Sequence, residues 1–179
     1  MIDDILEYNK QFVAEKGYVK YKTSKYPDKH LAILTCMDTR LTELLPAALG
    51  IKNGDAKIIK NAGGVIMHPY GSVMRSLLVA ITELGVDEIM VIGHTDCGVQ
   101  GLNAQEMLEN LKERGIRQEH IDIIRQSGID FERWLKGFDN VQQSVQDTVF
   151  AIRNHPLMPK DIKVSGYIMD SVTGELLKS

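Results

Sequence analysis

The sequence predicts an α/β fold: a mostly parallel central sheet flanked by helices, with an N-terminal helical arm and an antiparallel edge strand near the C-terminus. Three observations carry this. Short apolar runs alternate with segments of helical period. Between Ala56 and Gly93 an apolar run, a helical segment and a second run follow one another, the order of a parallel crossover unit. No repeat, low-complexity tract or Pro/Gly/Ser linker divides the 179 residues, a length near that of one ordinary domain. The reading is therefore a single domain over 1–179, with an arm over 1–29 and an α/β core over 30–179.

The first sixteen residues read as a helix with a sparse apolar stripe of Ile5, Leu6, Phe12 and Val13, suited to packing on a partner subunit or on its own domain. Leu31 to Cys36, Ala56 to Ile59 and Glu88 to Gly93 read as buried strands, being short and flanked by Gly, Asp and His. A helix over Leu41 to Leu49 links the first two, with Pro46 limiting it and Gly50 ending it. The next helix places Pro69 in its first turn, repeats Val73, Leu77, Ala80, Ile81 and Leu84 on one face, and stops at Gly85. Asn103 with Glu106, and Asn140 with Gln143, carry the spacing of helix caps. Pro156 and Pro159 close the last helix. Val164 to Met169 reads as a strand, and Asp170 to Gly174 as a turn that sends the chain back along the sheet edge.

Composition excludes several classes. Apolar residues make up 44% and charged residues 25%, enough for a packed core. Twenty-one Lys plus Arg against twenty-four Asp plus Glu leave a net charge of −3, without the surplus of cations a nucleic-acid-binding face needs. No apolar run approaches the roughly 18 residues of a membrane span. The acidic opening Met1-Ile-Asp-Asp lacks the order of a signal peptide, which points to the cytoplasm. In that compartment the two cysteines, Cys36 and Cys97, suggest metal binding or catalysis before a disulfide.

Ligands of open parallel sheets bind beyond the carboxyl ends of the strands. The first run ends there in Cys36-Met-Asp38-Thr-Arg40, the third in His94-Thr-Asp96-Cys97-Gly98. If those strands are neighbours, two thiols and an imidazole meet. Zinc takes such a set, and three protein donors leave one position for water. His-x-x-Cys alone is weak evidence, and isolated cysteines also serve as buried small hydrophobes. The coincidence of all three donors with strand ends favours the metal. While the chain stays extended, Cys36, Asp38 and Arg40 face one way. A carboxylate fixed by a guanidinium beside a metal site could then accept a hydrogen bond from bound water. A surface ion pair or a helix cap is the competing reading of Asp38 and Arg40.

Cys-x-Asp-x-Arg followed by His-x-x-Cys-Gly resembles the β-class carbonic anhydrases, in their short, prokaryotic-type form. The likeness runs through Gly54 to Gly64, Arg75 to Gly85 and Gly166 to Gly174. It implies one Zn2+ per chain, held by Cys36, His94 and Cys97, with Asp38 and Arg40 as the family's catalytic pair. It implies a homodimer or a tetramer of dimers, with the N-terminal helix embracing the partner. The implied reaction is reversible hydration of carbon dioxide to bicarbonate and a proton, by attack of zinc-bound hydroxide. Lys52 stands where plant-type members carry a pocket-lining glutamine. Gly63 and Gly98 complete the expected substrate pocket, their backbones free to approach it. Two thiolates cancel the formal charge of zinc, so its water should be less acidic than the roughly pKa 7 of a three-histidine site. Rivals are hydrolysis of carbonyl sulfide or carbon disulfide at the same zinc, and a non-catalytic zinc or anion binder. His30, His68, His120 and His155 receive no role, and no nucleic-acid or membrane partner is expected.

Overall fold

A computed structural model describes all residues, 1–179. Five strands form one sheet: β1 (Leu31–Cys36), β2 (Ala56–Asn61), β3 (Glu88–His94), β4 (Lys163–Met169) and β5 (Leu176–Lys178). Their order is β2-β1-β3-β4-β5. β1 pairs in parallel with both β2 and β3, β3 pairs in parallel with β4, and only β5 runs antiparallel. From β1 the chain moves outward to β2, then returns across β1 to lay down β3 on its other side. The direction of winding therefore reverses between β1 and β3, and a crevice opens at their carboxyl ends.

Central and edge strands differ as their neighbours require. β1 is buried from Ala32 to Cys36, a continuous apolar strand covered on both faces. β2, at the edge, carries Lys57 and Lys60, charges that discourage pairing with another sheet. Ala32 and Leu34 pack in one core with Leu77 of α3 (Ser72–Leu84) and Ile152 of α7 (Val141–Arg153). Ile33 packs in the other, with Leu41 and Leu45 of α2 (Leu41–Ala48). Both faces of the central strand β1 are thus covered, and Cys36 and His94 lie at the carboxyl ends of their strands.

Several local expectations shift. α2 runs through Pro46 to Ala48, and the turn closes afterwards where the Ile51 N–H returns to the Pro46 carbonyl. α3 begins at Ser72, so Pro69 precedes it. The backbone turns first, with the Gly71 N–H bonded to the His68 carbonyl. Asn103 and Asn140 cap α4 (Ala104–Glu113) and α7 by accepting the N–H groups of Glu106 and Gln143, each at 3.0 Å. Between them lie two helices the sequence reading did not identify, α5 (Gln118–Gln126) and α6 (Phe131–Leu135). They share a small separate core of Leu108, Ile121 and Phe131. The arm begins with α1 (Ile2–Ala14), none of whose residues is buried. No helix is long and apolar enough to cross a membrane.

Candidate metal centre

The pairing of β1 with β3 brings Cys36 beside His94 and Cys97 at the reversal of winding. All three are buried, and their donor atoms lie within 4.8 Å of one another. The sulfurs of Cys36 and Cys97 are 3.8 Å apart. Two thiolates each about 2.3 Å from a tetrahedral zinc stand about 3.8 Å from each other, so the pair has the spacing of one tetrahedral edge. A disulfide needs about 2.05 Å, and both cysteines are free.

His94 supplies the independent test. Its Nδ1 lies 2.9 Å from the Thr95 carbonyl, which fixes the proton there as a donor. Nε2 is left with a lone pair, buried and without any hydrogen-bond partner. A buried nitrogen in that condition costs free energy unless something accepts its electrons. The residues present therefore fit a thiophilic divalent cation, and zinc is the one that two sulfurs and a nitrogen suit.

Burial alone pushes the Cys36 thiol up. The neighbouring His94 ring, the backbone N–H groups of Asp38 and Gly63, and Cys97 together outweigh this and bring it down to about 7. Burial pushes the Cys97 thiol up. For His94, burial works against protonation, but the nearby Cys36 sulfur, the Thr95 carbonyl and the Asp38 carboxylate outweigh it and raise the pKa. The cluster accordingly holds a negative charge ready at Cys36, as a cation requires.

The Gly63 N–H reaches Cys36 because the chain after β2 is tightly folded. Asn61, paired in register with Cys36, clasps Val65 by accepting its N–H at 3.1 Å and donating to its carbonyl at 2.7 Å. Inside that clasp Gly63 and Gly64 take φ of +84° and +67°, and a Cβ on Gly64 would lie 2.9 Å from the carbonyl carbon of Thr35. Only glycine fits a left-handed conformation pressed against a strand.

Asp38 and Arg40 meet by a different route from the one the spacing suggests. The chain does not stay extended after Cys36. It turns, the Leu41 N–H bonding to the Asp38 carbonyl at 3.2 Å. The Asp38 carboxylate accepts the Arg40 backbone N–H at 2.9 Å, an Asx turn. The guanidinium then grips both carboxylate oxygens, Nε to Oδ1 at 3.0 Å and Nη2 to Oδ2 at 2.8 Å. These side-chain bonds, reinforced by the backbone one, hold the Asp38 carboxyl well below the usual carboxylate range. Oδ2 stands 3.9 Å from His94 Nε2, beside the cluster but outside it.

The sequence reading missed Asp96. Arg40 also donates from Nη1 to Asp96 Oδ2 at 2.8 Å and from Nη2 to the Asp96 carbonyl at 2.7 Å. Asp96 has φ +53°, a left-handed conformation uncommon outside glycine. Its place inside His-x-x-Cys was the available signal.

The expected pocket residues divide. Gly63 borders Phe138 and Val99, which pack against the apolar cluster that includes Cys36 and Cys97. Around Gly98 a Cβ would meet nothing within 4 Å, so close backbone approach within this chain does not explain that glycine. Lys52 precedes β2, at the amino ends of the strands and thus across the sheet from the cluster of its own chain. It is exposed, with its backbone N–H on the Asp55 carboxylate at 2.9 Å.

The family model described as carbonic anhydrase matches residues 31–176. The chain is 53% identical to YtiB of Bacillus subtilis, provisionally named a carbonic anhydrase, over 98% of this chain and 94% of that protein. It is 34% identical to a carbon disulfide hydrolase of Saccharolobus solfataricus, over 84% and 78% of the two. Among solved structures, β-carbonic anhydrase isoform I of Trichomonas vaginalis superposes with a TM-score of 0.90 at 32% identity, covering 99% of this chain and 96% of that one. The matched span takes in β1 to β4 together with Cys36, Asp38, Arg40, His94, Asp96 and Cys97, and the chain belongs to the carbonic anhydrase family, in its β class.

Proposed function

We propose that the protein catalyses reversible hydration of carbon dioxide to bicarbonate and a proton at one zinc per chain, held by Cys36, His94 and Cys97. The observation that carries this is the pairing of a tetrahedral-edge sulfur spacing with an orphaned His94 Nε2 beside an ion-paired carboxylate. Bound there, zinc supplies Lewis acidity that makes water a nucleophile near neutral pH.

The chain's own residues do the rest. Asp38, kept ionised by Arg40, can only accept a hydrogen bond, so it orients a water's lone pair away from itself. Arg40 sets that orientation through its two-point grip. Val99 and Phe138, beside Gly63 and packed against the core cluster that includes both cysteines, offer an apolar wall to a linear, uncharged substrate. Resemblance to carbon disulfide hydrolases supports a second reading, in which CS2 or COS replaces CO2. Stopped-flow assays of the zinc-loaded protein on all three discriminate: turnover of CO2 fastest supports the proposal. Turnover confined to the sulfur compounds supports the second reading, and none at all supports a binding role.

The proposal includes self-association, as a homodimer or a tetramer of dimers. No residue of α1 is buried and only Phe12 is half-buried, while Ile2, Ile5, Leu6 and Val13 are exposed, and a short isolated helix has little stability in water. A second copy of the chain would give it a surface to cover.

A further inference from the structure

We infer that Asp96 is a positioning residue that clamps Arg40 onto Asp38 and so keeps the Asp38 carboxylate off the metal. The inference rests on the reading of the cluster as a zinc centre. The family resemblance implies that in some members a released carboxylate at the position of Asp38 takes the open metal position; what holds Arg40 in place here is the new element. Three donors leave a tetrahedral cation one position short of protein ligands. Asp38 Oδ2 is 3.9 Å from His94 Nε2, so a modest swing would offer that position a carboxylate. What prevents the swing is Arg40.

Arg40 by itself is a poor restraint. It is flanked by the turn that carries Asp38, and a guanidinium anchored only to its own turn would travel with the carboxylate it holds. Asp96 supplies the fixed point. It lies between His94 and Cys97, on the segment that provides two of the three donors, and it grips Arg40 from both side chain and backbone. The guanidinium thereby spans the gap from the end of β1 to the end of β3. Its Nε and Nη2 face Asp38, its Nη1 faces Asp96 Oδ2, and Nη2 also reaches the Asp96 carbonyl. The left-handed backbone of Asp96 turns its carbonyl and carboxylate to the same guanidinium. Short polar side chains tolerate that conformation best.

Because the Asp96 side chain is largely exposed, its ion pair is screened and its loss shifts the balance by about two- to fivefold rather than completely. The variants follow from the backbone. Asp96→Gly keeps the left-handed conformation and the carbonyl contact while removing the carboxylate. Asp96→Asn keeps an acceptor oxygen. Arg40→Ala marks the limit in which Asp38 is fully released.

The test is the visible absorption spectrum of the cobalt-substituted full-length protein, which reports the metal's ligands whether or not the protein turns over substrate. Asp96→Gly is expected to give a spectrum between those of wild type and Arg40→Ala, with Asp96→Asn closer to wild type. The shift is expected to vanish in an Asp38→Ala background, since it runs through that carboxylate. A wild-type spectrum in Asp96→Gly, or an equal shift without Asp38, would overturn the clamp while leaving the zinc reading intact. Failure of the wild-type chain to bind cobalt in sulfur coordination would overturn both.

Discussion

At the carboxyl ends of β1 and β3, Cys36, His94 and Cys97 are 3%, 1% and 6% exposed. At the other extreme, Ile2 and Ile5 of α1 are 73% and 62% exposed, and no residue of that helix is buried. Both regions are built from residues that water disfavours or that need a partner. In the first, the donors find one another within a single chain, because the sheet's parallel pairing brings distant segments to one edge. In the second, only Phe12 of the apolar stripe finds cover in its own chain, beside Tyr21, and Ile5, Leu6 and Val13 find none. The difference separates what one copy completes from what it leaves open: metal binding should belong to the single chain, and the arm should matter to assembly.

The strongest way to break that comparison is at the cluster. Cys36→Ala removes one of three donors and leaves too few to hold the ion, so zinc content by metal analysis should fall to background and hydration with it. If zinc persisted, the three-donor site would be the wrong site. Asp38→Ala should keep full zinc while lowering kcat by roughly 10²–10⁴-fold, the range for loss of a positioned acid–base group. Zinc loss in that variant would show Asp38 to be a ligand instead.

Gly64→Ala tests the packing that supports the cluster. The new methyl meets the backbone of Thr35 and Cys36, and the residue must hold a positive φ. A cost of about 2–4 kcal/mol in denaturant unfolding is expected from conformational strain and overpacking together. Removing residues 1–16 sharpens the other side. Light scattering should show a smaller assembly, while zinc per chain stays unchanged and the unfolding midpoint measured at low protein concentration moves little. Loss of zinc on truncation would mean that one copy does not complete the site.

The smallest effect concerns acid. The folded-state pKa of Asp38 is depressed below the roughly 3.9 of an unfolded aspartate, mainly by the Arg40 side chain. Its contribution to stability is therefore complete above about pH 5 and fades as pH falls through the folded value. Unfolding curves of the zinc-free wild type and Asp38→Asn should differ most above about pH 5, with the difference shrinking as pH falls below that and lost only where the Asp38 carboxyl of the folded chain is itself protonated. The same depression keeps Asp38 ionised from pH 6 to 9, so its titration is not expected to shape the activity profile. Hydration should instead climb above about pH 7.5, because two thiolates soften the zinc's effect on its water.

The sequence by itself determined the fold class and the donor types. β1 spans the same residues as its apolar run, and the Asn caps of α4 and α7 act where their spacing placed them, because such signals depend on neighbours within a few residues. α5 and α6 escaped notice because they are short and mostly polar, and bury only Ile121 and Phe131 in a core apart from the rest. Only the tertiary structure decided that β1 lies beside β3 and so carries Cys36 to His94 and Cys97. That pairing is a long-range choice made by burial of whole faces. It likewise decided that Asp38 meets Arg40 through a turn, that Asp96 joins them, and that Lys52 sits at the far end of its own sheet. Local periodicity names the residues able to do chemistry; their distances depend on how the sheet is wound, which the packing of both faces settles at once.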